Sequence, residues 1–75
     1  MQIGDLVTFV DEGTYAKWFW GQMGIVTSCN RSSQTGELHC RVEWLKPVEY
    51  FNSFTYCSDF QASCFMNHGQ PEITT

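Results

Sequence analysis

The sequence predicts a single mostly-β domain, a small five-stranded barrel with a long first loop and a short helical turn before the last strand. Its 75 residues are the length of one domain. Short runs of β-branched and aromatic residues are separated by clusters of Gly, Pro, Asn and Ser, as expected for strands and turns. Three Trp, six Phe and three Tyr supply the bulk that a core needs, because so short a chain buries only about 60% of its unfolded surface.

The first two predicted strands are separated by an aromatic segment. Residues 6–10 form strand one, since Leu-Val-Thr-Phe-Val is rich in β-branched and aromatic side chains. The segment from residue 11 to 21 follows neither the period of a strand nor that of a helix, so we predict a long loop or irregular arm. Gly21 and Gly24 then indicate a bend or a close backbone approach at the entry to strand two, residues 25–29.

A hairpin is predicted next. The polar cluster 30–36 ends in Gly36 and is typical of a longer hairpin connection. The following strand alternates without a break, with Leu38, Cys40, Val42 and Trp44 on one face and His39, Arg41 and Glu43 on the other. Pro47 lacks a ladder donor, so we expect this strand to stop near Leu45.

The C-terminal third is less regular. Rings at 50, 51, 54 and 56 fit neither period well, and we place a fourth strand at residues 54–57. An N-cap type residue, Ser58, opens a predicted helical turn over 58–63, followed by a last strand at 64–66. Residues 67–75 contain Gly69 and Pro71 and no Phe, Trp or Tyr, so we predict a barrel domain over 1–66 and a flexible tail over 67–75.

This order of elements resembles an SH3-like barrel. Gly4-Asp5, then Gly21-Gln22-Met23-Gly24-Ile25-Val26, then a strand ending in Trp44 is similar to the KOW-type pattern. With Ser58-Asp59-Phe60 and Cys64-Phe65-Met66, residues 3–66 resemble small tailed-bacteriophage proteins, including those of cyanophages. The resemblance implies a fold and a phage origin, hence the host cytoplasm, but no activity. KOW-bearing proteins commonly bind RNA or protein.

Charge weighs against nucleic acid as the partner. Four basic residues against eight acidic ones give a net charge of −4, which repels a phosphate backbone. The basic residues Lys17, Arg31, Arg41 and Lys46 are scattered, so no phosphate-tracking block stands out. The chain also lacks the Ala-Leu-Tyr-Asp-Tyr-like segment of peptide-binding SH3 domains. Nucleic-acid binding, to RNA or single-stranded DNA, stays as the alternative to protein binding.

The four cysteines contain no Cys-x-x-Cys pair, so we predict no metal site and no cofactor. Neither a signal-like N-terminus nor an apolar run of the roughly 18 residues needed to span a bilayer is found, which predicts a cytoplasmic protein off the membrane. We therefore expect free thiols that serve as small buried hydrophobes. Cys29 and Cys40 flank the hairpin turn nearly symmetrically and could sit directly opposite each other, where a disulfide would form only if their Cα separation meets the distance limits of such a bond.

The candidate binding residues lie in the aromatic arm: Tyr15, Lys17, Trp18, Phe19 and Trp20. In one interpretation some of these rings form an exposed anchor patch for a protein partner. In the other, the arm folds back and at least two rings close one end of the barrel. An extended arm would place Trp18 and Trp20 on one face.

Nothing in the sequence indicates catalysis. His39, Arg41 and Glu43 are interpreted as a solvated strand face with an ion pair. The surroundings of Cys57 and Cys64 match no thiol-enzyme signature, and the chain has no Gly-rich phosphate loop, His-Glu-x-x-His or Gly-x-Ser-x-Gly. We predict a non-enzymatic interaction module, a phage accessory protein that binds a host or phage protein through the arm, with the hairpin tip at residues 30–36 as a second candidate contact. Self-association is one form of this binding.

Overall fold

The computed structural model describes residues 1–70, and five β-strands dominate it. The mostly-β prediction, with five strands and a short helical turn before the last one, is confirmed. In chain order the elements are β1 (Leu6–Phe9), α1 (Ala16–Phe19), β2 (Met23–Arg31), β3 (Leu38–Tyr50), β4 (Ser53–Gln61), a 3-10 helix (Ala62–Cys64) and β5 (Phe65–Gly69).

The strands form one antiparallel sheet in the order β4-β3-β2-β1-β5. β4 and β5 are its edges, and within residues 1–70 no ladder joins them, so the sheet is open. Neither helix in this part of the chain has the length and apolar character needed to cross a membrane.

The core lies on one face of this sheet. Strand alternation places Val7 and Phe9 of β1, Val26 of β2 and Phe65 of β5 on that face, where all four are buried. β3 contributes most, and its predicted alternation is confirmed. Its buried side chains are Cys40, Val42, Trp44 and Val48, whereas Arg41 and Glu43 are exposed.

Pro47 does not end β3, so the predicted stop near Leu45 is wrong. The ladder between β3 and β4 is interrupted from Glu43 to Val48, and the ladder to β2 reaches only Trp44. Pro47 therefore sits where no ladder hydrogen bond is required of it, and the strand resumes beyond it.

β4 is longer than predicted and the helical turn is shorter. Ser58 and Gln61 pair with Val42 and His39 of β3, so the segment predicted to be helical from residue 58 is strand. Only Ala62–Cys64 adopts the 3-10 conformation. Pairing with a long neighbouring strand outweighs the local signal of an N-cap residue.

The predicted tail begins too early, because residues 67–69 complete β5 and Gln70 contacts the N-terminal segment. The buried Asp5 carboxylate explains this. It accepts hydrogen bonds from Asn67 Nδ2 at 2.9 Å, Gln70 Nε2 at 2.8 Å and the Gln2 backbone N–H at 2.8 Å. The remainder of the predicted tail, residues 71–75, lies outside the described residues.

Candidate functional site: an aromatic surface

The predicted arm contains one helical turn, and this decides where its rings point. α1 covers Ala16–Phe19, with Tyr15 and Trp20 as its caps. At 3.6 residues per turn, positions two apart lie roughly 200° apart around a helix. The arm is therefore not extended, and the condition under which Trp18 and Trp20 would share a face is not met: Trp18 packs against the core, whereas Trp20 is 59% exposed.

Two of the arm's rings cap the sheet. Phe19 is only 3% exposed, stacks on Trp44 at 5.3 Å between ring centroids and lies 5.9 Å from Phe9. Trp18 is half-buried beside it. Of the five predicted site residues, Phe19 thus belongs to the core and Trp18 borders it.

The other three arm residues face solvent. Tyr15 is exposed on one side while its ring packs 5.4 Å from Phe60. The Lys17 Nζ lies 4.6 Å from the centroid of the Trp18 ring, a cation–π distance. Trp20 is the most exposed ring of the arm. The arm therefore presents rings and one cation to solvent.

Two further rings complete the site, and sequence reasoning missed both. Tyr50 and Phe51 lie where β3 turns into β4, and Trp18 contacts both, at 4.9 and 5.0 Å between centroids. Tyr50 and Phe51 pack edge to face at 4.5 Å. The sequence signal for these two rings was that aromatic residues are dense around residue 50 but follow neither the period of a strand nor that of a helix. We call the four rings the aromatic surface: Tyr15, Trp18, Tyr50 and Phe51.

Phe51 has an unusual backbone. It occupies the two-residue turn between the paired residues Tyr50 and Ser53, with φ at +54°, and its side chain is 65% exposed. Turns of this length favour Gly or Asn where φ is positive. A bulky side chain there costs roughly 1–2 kcal/mol. The turn thus holds a large apolar ring in solvent at an energetic cost.

Two open clefts border the aromatic surface. One, of about 350 Å³, is lined by Trp18, Phe51, Lys17 and Glu49 among others. The second, of about 330 Å³, is lined mainly by rings together with Asp59. The aromatic surface therefore offers recesses beside protruding rings, the shape that side chains of a partner can enter.

The polar face of β3 is an ordinary solvated one, as predicted. Arg41 Nε and Nη2 donate to the two carboxylate oxygens of Asp59 on β4, both at 3.2 Å. These hydrogen bonds, together with the charge of Asp59, raise the pKa of Arg41. His39 Nε2 lies 3.9 Å from a Glu37 carboxylate oxygen. Two exposed, paired side chains of this kind stabilise little.

The predicted pairing of Cys29 and Cys40 is confirmed. They are directly opposite on β2 and β3, and their Sγ atoms are 3.4 Å apart. All four cysteines are thiols. Burial raises the pKa of Cys40 to about 12 and also raises that of Cys64. Among residues 1–70, no group of three or more His, Cys, Asp or Glu side chains is placed to hold a metal ion.

Chemically, the aromatic surface offers apolar area, one cation on Trp18 and the carboxylates of Glu49 and Asp59 at the clefts. Asp59 is held by Arg41. Such an arrangement suits the packing of a partner's side chains. No protein family, curated protein or solved structure matches this chain.

Proposed function

We propose that this protein is a non-enzymatic interaction module that binds a host or phage protein through the aromatic surface and the exposed Trp20 at the end of α1. One observation carries the proposal: Phe51 is kept in solvent by a turn with positive φ and rests against Trp18 and Tyr50. Strained backbone of this kind clusters at functional sites. Exposed Trp and Tyr rings are the side chains that contribute most to protein interfaces.

We further propose a specific fold type and origin for the chain. We take the open sheet as an SH3-like barrel and the chain as a phage accessory protein acting in the host cytoplasm. The strand order and the short 3-10 helix before β5 support the first part. The KOW-type glycine spacing around Gly24 and the resemblance to phage proteins support the second.

Charge favours a protein over a nucleic acid as the partner. The chain carries −4 overall. Arg41 is paired with Asp59, and Arg31 donates to the backbone carbonyl of Gly36. Lys17 is the cation that contacts the aromatic surface, and Glu49 shares its cleft. Phosphate binding depends on several cations acting together.

The direct test is capture from lysates of infected and uninfected host cells, with the tagged chain as bait. Trp20→Ala and Phe51→Asn should reduce capture of a specific protein at least about tenfold, since rings at an interface centre contribute most of the binding energy. Met66→Ala is the matched control, because Met66 is 54% exposed but lies on β5 at the opposite edge of the sheet. Its capture should equal that of the wild type.

Equal capture by all four proteins, or no specific capture by the wild type, would reject the proposal. Melting temperatures are measured alongside, so that lost capture is attributed to the surface only when the variant remains folded. Trp20 and Phe51 are both well exposed, which makes a folding defect the unexpected outcome.

A second candidate function rests on one contact. Lys17 over the Trp18 ring, next to Tyr50 and Phe51, combines a cation with stacking faces, as single-strand binding proteins do. Fluorescence anisotropy with labelled single-stranded RNA and DNA at low and moderate salt tests it. Binding that weakens steeply with salt supports this alternative, and the absence of binding at low salt removes it.

A further inference from the structure

Cys29 and Cys40 form a pair of thiols beside the tip of the β2–β3 hairpin. They are Cα partners on neighbouring antiparallel strands, and their Sγ atoms are 3.4 Å apart. Such a separation requires only a small closure of the two side chains to reach the S–S bond length of about 2.05 Å. Proximity alone does not make a bond, so the geometry of the backbone decides.

The hydrogen bonding of the hairpin identifies the type of pair. The backbone N–H of Ser32 donates to the carbonyl of Glu37 at 2.8 Å, which places positions 32 and 37 in the hydrogen-bonded phase of the ladder, although the Ser32 carbonyl accepts from the Gly36 N–H instead. The register from there to the Cys29–Cys40 pair is unbroken, and pair types alternate along an antiparallel ladder. Cys29 and Cys40 lie three residue pairs further along this ladder, so they form a non-hydrogen-bonded pair.

This pair type has the backbone separation that a disulfide needs. Opposite Cα atoms in non-hydrogen-bonded pairs are about 4.5 Å apart, closer than the roughly 5.5 Å of hydrogen-bonded pairs. Disulfides span Cα separations of about 4.4–6.8 Å. The strands therefore already hold the two cysteines at a permitted distance, without a change of register.

The two thiols differ in accessibility, and this sets the order of events. Cys40 is fully buried, and burial raises its pKa to about 12, so its thiolate is scarce. Cys29 is half-buried, and its thiol lies 3.9 Å from the Met1 carbonyl near the surface. An oxidant arriving from solvent thus meets Cys29 first.

We propose that Cys29 and Cys40 are a reversible disulfide site, oxidised by a low-molecular-weight disulfide such as oxidised glutathione. The Cys29 thiolate attacks one glutathione sulfur, the glutathione S–S bond breaks, and one glutathione leaves and takes up a proton. Cys40, as thiolate, then attacks the Cys29 sulfur of the mixed disulfide and releases the second glutathione, which is protonated. Two protein thiols are oxidised and one glutathione disulfide is reduced to two thiols.

Oxidation would link β2 to β3 next to the hairpin tip. The link closes a loop over residues 29–40, and closing a loop restricts the unfolded chain more than the folded one. The oxidised protein should therefore melt at a higher temperature than the reduced protein. Adding dithiothreitol should reverse the shift.

The test uses the folded wild-type chain with oxidised glutathione, followed by alkylation, trypsin digestion and mass spectrometry. Arg31 lies between the two cysteines, so trypsin places them on separate peptides and a disulfide appears as one linked species. Most chains should carry the Cys29–Cys40 link, lighter by two hydrogens than the sum of the reduced peptides. In Cys40→Ala, Cys29 should instead retain glutathione.

The exposed Cys57 is an internal control for the oxidant. If Cys57 carries glutathione while Cys29 and Cys40 are both recovered alkylated, the proposal is overturned. Links joining Cys29 or Cys40 to another cysteine also overturn it. So does a Cys29–Cys40 link that forms no faster in the folded chain than in urea, because the fold would then contribute nothing.

Discussion

At the scale of a single residue, Phe51 occupies a position that a role in folding does not explain. Its ring contacts Trp18 and Tyr50, yet most of its surface is in solvent and its backbone is in the left-handed region. A hydrophobic residue selected for folding alone would be replaced by Asn or Gly in such a turn. The position of the Phe51 ring is therefore not explained by a stabilising role.

Replacing Phe51 by Asn should leave the free energy of unfolding unchanged or raise it by up to about 1 kcal/mol. Asn tolerates positive φ, so the strain of roughly 1–2 kcal/mol is relieved and offsets the lost ring contacts. Urea unfolding followed by circular dichroism measures this. A loss of more than about 2 kcal/mol would mean that the ring is part of the core.

Asp5 shows the opposite case, a polar residue that the fold depends on. Hydrogen bonds from the Gln2 backbone and from the Asn67 side chain are the largest causes that lower the pKa of its carboxyl, and that of Gln70 adds to them. A carboxyl whose pKa is lower when folded stabilises the protein above its ordinary pKa of about 3.9. That contribution is lost as the pH falls through the folded-state pKa.

Asp5→Asn should therefore lower the urea midpoint at neutral pH. The new amide N–H2 is itself a hydrogen-bond donor, and it would face the donor groups of Gln2, Asn67 and Gln70. The substitution should also make the urea midpoint depend less on pH. Between about pH 5 and pH 2 the midpoint of the wild type should fall further than that of the variant. Parallel falls in the two proteins would show that Asp5 is not the titrating group.

At the scale of elements, β2 depends on close packing at Gly24. A Cβ atom there would lie 2.7 Å from the Glu43 carbonyl oxygen and would also clash with Val42, both on β3. The predicted close backbone approach at the entry to β2 is confirmed at this residue. Since β2 pairs with β1 as well as β3, a shift at Gly24 is passed to both neighbours.

Gly24→Ala should destabilise the protein by about 1–3 kcal/mol, as overpacking does in a well-packed core. Gly13→Ala is a suitable control, because its added methyl group would meet only the movable Asp11 carboxylate in an exposed loop. Thermal melts of the two variants provide the comparison. Similar melting temperatures for both would contradict this account of β2.

Local patterns predicted some elements and failed for others for physical reasons. The alternation from Leu38 to Trp44 and the facing cysteines depend on neighbouring residues and on one hairpin, and both predictions are confirmed. α1 is a single turn of helix, too short to give a period. The end of β5 is fixed by hydrogen bonds from Asn67 and Gln70 to Asp5, more than 60 positions earlier.

Only the part of the aromatic surface that lies in the arm was predicted, because the rest depends on a contact between residues far apart in the sequence. Its arm residues lie close together in the sequence and were identified by ring density. Tyr50 and Phe51 join them only when the β3–β4 turn is brought against α1, a long-range contact that the local density of rings around residue 50 does not predict. Phe19 was included with the site, although its packing on Trp44 and Phe9 makes it a core residue.

At the scale of the whole molecule, the rings divide into a buried group and an exposed group. Phe9, Phe19, Trp44 and Phe65 are the buried rings and pack against one another across the sheet. The Trp44 indole N–H donates to Ser58 Oγ at 3.1 Å, which satisfies it within the structure. Tyr15, Trp20 and Phe51 are exposed, as are Phe54 and Tyr56 of β4, whereas Trp18 and Tyr50 lie between the two groups, half-buried against the core.

The two groups should respond differently to truncation. Trp44→Ala should cost about 3–5 kcal/mol, which approaches the whole stability expected of a domain this small. Trp20→Ala should change the free energy of unfolding by no more than about 0.5 kcal/mol. Chemical denaturation of both variants measures the difference. A large loss in Trp20→Ala would place that ring in the core.

The division of the rings is tested most directly by the three tryptophan indole signals in a nitrogen-15 NMR spectrum, recorded with and without a soluble gadolinium chelate. The chelate broadens the NMR signals of groups that solvent reaches. The indole signal of Trp20 should therefore weaken most, that of Trp18 less, and that of Trp44 least. A Trp20 signal as protected as that of Trp44 would contradict the account, because the ring assigned to recognition would then be buried.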